Sequence, residues 1–102
     1  RGVPKDAYEA AKWYRMAADQ GHLGALNNLG LLHYEGRGVE RSFDEAARLY
    51  GAAADRGFAP AQCNLGVLHL LGQGVERDIP RAIELLEASG RQGHSKAQTL
   101  LA

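Results

Sequence analysis

The stretch A-L-N-N-L-G-L-L-H-Y-E-G-R-G-V, residues 25–39, returns as A-Q-C-N-L-G-V-L-H-L-L-G-Q-G-V at residues 61–75. The offset is 36 residues without a gap, and it holds well beyond this stretch. Gly21, Gly57 and Gly93 keep it, as do Ala10, Ala46 and Ala82, then Ala25, Ala61 and Ala97, then Leu29, Leu65 and Leu101. Gly38-Val39 recurs as Gly74-Val75 and, upstream, as Gly2-Val3. A fixed period of this length marks an array of supersecondary units, each too small to bury a core alone.

Each unit reads as two helices. In the first, the A helix, Ala25, Leu29 and Leu32 recur at helical spacing, as do Ala61, Leu65 and Leu68. It stops at G-R-G-V or G-Q-G-V, where glycine permits the positive φ of a helix end. The second, the B helix, opens at Asp6, Ser42 and Asp78, whose side chains can cap orphan N–H groups. Pro80 falls in a first turn, where its missing N–H costs little. The B helices are expected to bury Ala10, Tyr14, Ala17 and Ala18, then Ala46, Tyr50, Ala53 and Ala54. They end at the glycines 21, 57 and 93. The pattern predicts B helix 6–20, A helix 23–35, B helix 42–56, A helix 59–71, B helix 78–92 and a partial A helix from about 95, with no strand.

Glycine in mid-helix costs roughly 1 kcal/mol against alanine. Leu29-Gly30 and Leu65-Gly66 incur that cost at equivalent positions, so a partner helix is expected to approach closely there. Trp13, Tyr14, Phe43, Leu49, Tyr50, Leu85 and Leu86 are expected to fill the spaces between layers.

The chain has 102 residues, 12 basic and 12 acidic, and residues 1–36, 37–72 and 73–102 each carry equal numbers of both signs. Without a basic stripe to neutralise phosphates, the sequence argues against nucleic-acid binding. Without a polybasic cluster or an apolar run of about 18 residues, it argues against membrane insertion. The lone Cys63 rules out an internal disulfide framework and does not fix a compartment.

Other chemistry finds little support. His33 and His69 stand one repeat apart, roughly 10 Å between helix axes, whereas metal ligands converge to about 2 Å from one ion. His22 and His94 share a position with Phe58, which points to packing. G-R-G-V lacks the Gly-Lys-Ser/Thr ending of a phosphate loop, and no strand precedes it. Ser42, Ser89 and Ser95 sit in no nucleophile context. Cys63, on a helix without an adjacent cation in sequence, reads as an inert thiol. No cofactor and no catalytic residue are implied.

Residues 25–39, the run D-E-A-A-R-L-Y-G-A-A-A-D-R-G at 44–57, and D-A-Y-E-A-A-K-W-Y-R-M-A-A-D-Q-G at 6–21 together resemble the Sel-one-like repeat, a tetratricopeptide-like family. The resemblance covers the whole chain. It implies an all-α fold, a right-handed α-solenoid of antiparallel helix pairs whose A helices line a concave surface. It also implies a scaffold that holds peptides or protein partners and is not an enzyme. A disulfide-bearing branch of the family, linked to weak β-lactam hydrolysis, carries paired cysteines, which this chain lacks. His33 and His69 stand where the family often has Tyr. Ser89-Gly90 replaces its Ala-Ala, so the last B helix is expected to be the weakest.

The candidate binding face follows from this arrangement. With Leu29 and Leu65 pointing into the core, steps of about 100° put Asn27, Asn28, Leu31, Tyr34 and Glu35 on the opposite face of the A helix. The next repeat adds Cys63, Asn64, Val67, Leu70 and Leu71. Asn28 and Asn64 are expected to form an amide ladder, able to clamp the backbone of an extended peptide or to satisfy neighbouring loop groups. The chain reads as one repeat domain over residues 1–102, cut from a longer array. Residues 1–21 form the second half of a repeat, 22–57 and 58–93 form full repeats, and 94–102 form part of a first helix. On that reading Trp13 and Met16 at one end, and Leu86, Leu100 and Leu101 at the other, lack a covering layer. End-to-end self-association is therefore a second expectation.

Overall fold

The computed structural model describes residues 5–102, so the Gly2-Val3 copy of the loop lies outside the described residues. Among the described residues six helices follow one another: α1 (Lys5–Asp19), α2 (Leu23–Glu35), α3 (Phe43–Ala54), α4 (Ala59–Leu71), α5 (Ile79–Arg91) and α6 (Ser95–Leu101). There is no strand among the described residues. Each helix packs against the one before and the one after it, as expected of a solenoid in which units touch only their neighbours. Thus α2, α4 and α6 are A helices, and α1, α3 and α5 are B helices.

The helix ends repeat because their chemistry repeats. Ser42 Oγ accepts from Glu45 N–H at 3.0 Å, and Asp78 Oδ1 accepts from Arg81 N–H at 3.0 Å, capping α3 and α5. Asp6 differs from its expected role: α1 already includes Lys5, so Asp6 lies within the first turn. There its charge suits the positive end of the helix dipole. The B helices close alike. Gly57 N–H donates to Ala54 O and Phe58 N–H to Ala53 O, the paired bonds of a Schellman motif. The same pair of bonds recurs around Gly21 and Gly93.

The loop glycines have a second task. Gly74 has φ +72°, and a Cβ there would run into the backbone of Phe43 at the start of α3. Gly38 meets the backbone of Ala7 in the same way. Each G-x-G-V loop therefore lies flush on the B helix of the preceding unit, a fit open only to glycine.

The core runs between the repeats. Ala46, Tyr50, Ala53, Ala61, Leu65, Leu68 and Leu85 form one buried cluster, with Tyr34, Phe58 and Val75 packed around it. Alanines dominate because helices of adjacent layers sit close together. The mid-helix glycines carry this furthest. A Cβ on Gly66 would stand 3.1 Å from Leu86 Cγ and 3.2 Å from the Ala82 carbonyl. One on Gly30 would stand 2.8 Å from the Tyr50 ring. Leu49, Tyr50, Leu85 and Leu86 fill the layers as expected.

α1 departs from that expectation. Ala7 and Ala11 are its buried residues; Ala10, Tyr14, Ala17 and Ala18 are half-buried. Trp13 is 66% exposed. Its equivalents Leu49 and Leu85 lie on the B-helix face that α2 and α4 cover, and no described helix precedes α1 to do the same. Phe43 is also half-buried, against Tyr34 with ring centroids 5.0 Å apart. Ser89, expected to weaken α5, is fully buried and donates from Oγ to Ala59 O at 2.7 Å. The hydroxyl thus ties α5 to the start of α4.

Candidate partner-binding face

The A and B helices differ in how apolar residues are distributed. α3 and α5 are amphipathic, with a polar outer side. α2 and α4 carry apolar residues around most of their circumference. Leu29, Leu32, Leu65 and Leu68 go to the core. The remaining apolar residues, Leu31, Val67, Leu70 and Leu71, do not: Leu31 and Leu71 are exposed, Val67 and Leu70 half-buried. A helix that is apolar beyond its core stripe has a second surface to account for.

Part of the expected set converges. Leu31 and Tyr34 from α2 and Asn64 and Val67 from α4 line one depression of about 120 Å³. Tyr50 and Leu68, both buried, also line it, as does Lys96 from α6. Asn27 joins through a hydrogen bond: Asn64 Nδ2 donates to Asn27 Oδ1 at 2.9 Å. Tyr34 Oη donates to Gln73 Oε1 at 2.8 Å, which fixes the phenol at the rim.

The amide pair is therefore Asn27–Asn64, not Asn28–Asn64. Equivalent positions in stacked repeats point the same way and lie about 10 Å apart. Two amides that run parallel do not meet, so a bridge between A helices joins side chains at different positions that converge. Asn28 is half-buried and does not line the depression. Glu35 is exposed and lies 3.7 Å from Arg37. Leu70 and Leu71 also stand outside the depression. Cys63 is not on the face at all: it is fully buried against Leu86 and Ala97, and burial raises its thiol pKa.

Lys96, Tyr50, Leu68 and Gln73 were not expected here. Lys96 shares a repeat position with Gly24 and Pro60, so periodicity gave no hint of a cation. Tyr50 and Leu68 were read as core, and they also form the base of the depression.

The histidines have structural tasks. His33 Nδ1 lies 3.0 Å from Glu40 O, and His69 Nδ1 3.2 Å from Glu76 O. With the proton on Nδ1, each ring pins the loop that leads to the next B helix. His22 does more than pack: its Nδ1 accepts from Ala25 N–H at 3.1 Å, capping α2. Phe58 and His94 occupy the same position without a side-chain cap bond.

The Sel1 repeat profile matches residues 1–22, 24–58 and 59–94. The chain belongs to the Sel1 repeat family. Solved structures of similar proteins agree. One is a protective antigen of uropathogenic Escherichia coli displaying an SLR fold. It aligns at TM-score 0.91 and 34% identity over 99% of this chain, which spans only 22% of the antigen's length. A Sel1 repeat protein from Oxalobacter formigenes aligns at TM-score 0.85 and 38% identity, over 88% of this chain and 68% of that one. Cysteine-rich protein B of Helicobacter pylori shares the fold at TM-score 0.82 and 21% identity, over 88% of this chain and 68% of its own. A search of curated proteins gave no match. The Sel1 fold is thus an α-solenoid of 36-residue units in this chain, and Sel1 repeats generally serve as protein-interaction modules.

Proposed function

We propose that this Sel1 array is a scaffold, not an enzyme, and that it holds an extended peptide or protein segment on the A-helix face. The observation that carries this reading is the depression shared by α2, α4 and α6. Its walls are mostly apolar, and an amide pair at its edge keeps unused hydrogen-bonding groups. Once Asn64 Nδ2 donates to Asn27 Oδ1, Asn64 Oδ1 and Asn27 Nδ2 are left to meet a peptide N–H and C=O. Leu31 and Val67 then receive a side chain of the same segment. Leu70 and Leu71 extend the apolar surface beyond the depression.

The test is binding after two substitutions. Val67→Arg should abolish capture of peptides from a random displayed library while the melting curve stays near that of the parent. Asn27→Ala with Asn64→Ala should weaken a captured peptide by about 1–3 kcal/mol. Unchanged capture by Val67→Arg would refute the reading.

A second reading rests on a different observation. Tyr8, Trp13 and Met16 are exposed on α1, and Leu100 and Leu101 on α6, whereas Leu86 is buried after all. Trp13 and Met16 border an open depression of about 440 Å³ with Gln20 and His22. These two surfaces support head-to-tail stacking of copies, a contact that need not close. Sedimentation across a concentration series should show mass rising with concentration; a constant monomer mass, including at millimolar chain, would exclude stacking.

A further inference from the structure

Lys96 is the charged side chain among the residues lining the depression. The ion pairs of the described residues are Arg37–Glu35, Arg48–Glu45 and Arg81–Glu84, and none of them involves Lys96. Glu35, the acidic member of the expected face, is already beside Arg37. Lys96 reaches α4 electrically as well: burial raises the pKa of the Cys63 thiol, and Lys96 opposes that rise. The face thus presents an uncompensated cation next to an apolar recess.

The recess is small. At about 120 Å³ it approaches the cavity of about 150 Å³ that can hold a benzene-sized group. It therefore takes one apolar side chain. Neighbouring A helices lie about 10 Å apart, so α2 and α6 are about 20 Å apart across α4. An extended chain rising about 3.3 Å per residue covers that in about six residues. Such a chain, anchored by an apolar residue between Leu31 and Val67, brings a residue next to the anchor beside Lys96, which lines the same depression.

We infer that the occupant is an acidic peptide segment, in which an apolar anchor fills the Leu31–Val67 recess and an Asp or Glu side chain meets Lys96. This rests on the groove reading proposed above and adds its charge preference. Peptides displayed without a free C-terminus read the side-chain carboxylate alone. An exposed ion pair adds little affinity, but it orients the segment and rejects basic competitors.

Random peptides of about eight residues, the span of about six above with one flanking residue on each side, are displayed in a scaffold loop that offers no free C-terminus. Selection runs in parallel on the parent chain, Lys96→Glu and Val67→Arg, with helicity checked by circular dichroism. The parent should enrich peptides that pair an apolar residue with Asp or Glu. Lys96→Glu should lose that acid and admit Lys or Arg in its place, and Val67→Arg should enrich nothing. Lys96→Gln should bind a parent-selected peptide about two- to fivefold more weakly, and added salt should narrow the gap. Enriched peptides without acidic residues, sensitive to Val67→Arg and indifferent to Lys96→Glu, would overturn the acidic preference and leave the groove standing. No enrichment on the parent would overturn both.

Discussion

Gly66 and Gly51 both lie inside helices, yet their surroundings are opposite. A Cβ on Gly66 meets Leu86 and the Ala82 carbonyl at little more than 3 Å, and one on Gly51 meets nothing within 4 Å. Gly66→Leu should therefore overpack the α4–α5 contact and cost about 1–3 kcal/mol. Gly51→Ala should gain roughly 0.4–1 kcal/mol from helix propensity and a less free unfolded chain. For a chain of this size 1 kcal/mol moves Tm by about 4–8 °C, so thermal melts resolve both changes and their opposite signs. Equal melting of Gly66→Leu and the parent would mean that α4 and α5 do not approach as described. At this scale the sequence was informative: recurrence of Gly30 and Gly66 at one register was enough to expect a close contact. It was silent on what a single buried hydroxyl does. Ser89 looked like a weakness beside its alanine equivalents, and only the packing of α5 on α4 puts a carbonyl within its reach.

The A helices were legible to the residue, at 23–35 and 59–71, because each is bracketed by a capping position and a left-handed glycine. The B helices α3 and α5 overran by one or two residues. Ser42 and Asp78 are caps and not helical residues, and the last turn unwinds into the paired bonds around the closing glycine. These caps predict a graded response. Ser42→Ala removes the bond to Glu45 N–H in the interior of the array, and Asp78→Ala removes the bond to Arg81 N–H. Each should cost about 0.5–2 kcal/mol, measured by urea denaturation, with the m-value unchanged. Ser42→Asp should restore most of the loss. A Ser42→Ala variant as stable as the parent would show that the cap is idle.

Across the whole molecule, fold and site were unequally legible. The fold follows from a period, and a period is visible in one dimension. The site depends on which residues of different repeats face one another, and that depends on the offset between stacked helices. Leu31, Tyr34, Asn64 and Val67 could be read from helical steps alone; the Asn27–Asn64 bridge and the arrival of Lys96 from α6 could not. The claim that depends most on this geometry is that a peptide lies across α2, α4 and α6. The direct measurement is a ¹H–¹⁵N spectrum of the labelled chain titrated with a peptide enriched from the display library. The account predicts shifts concentrated at Asn27, Leu31, Asn64, Val67 and Lys96, with the outer faces of α3 and α5 unmoved. Shifts confined to Tyr8, Trp13 and Met16 on α1, or to the outer B-helix surface, would contradict it.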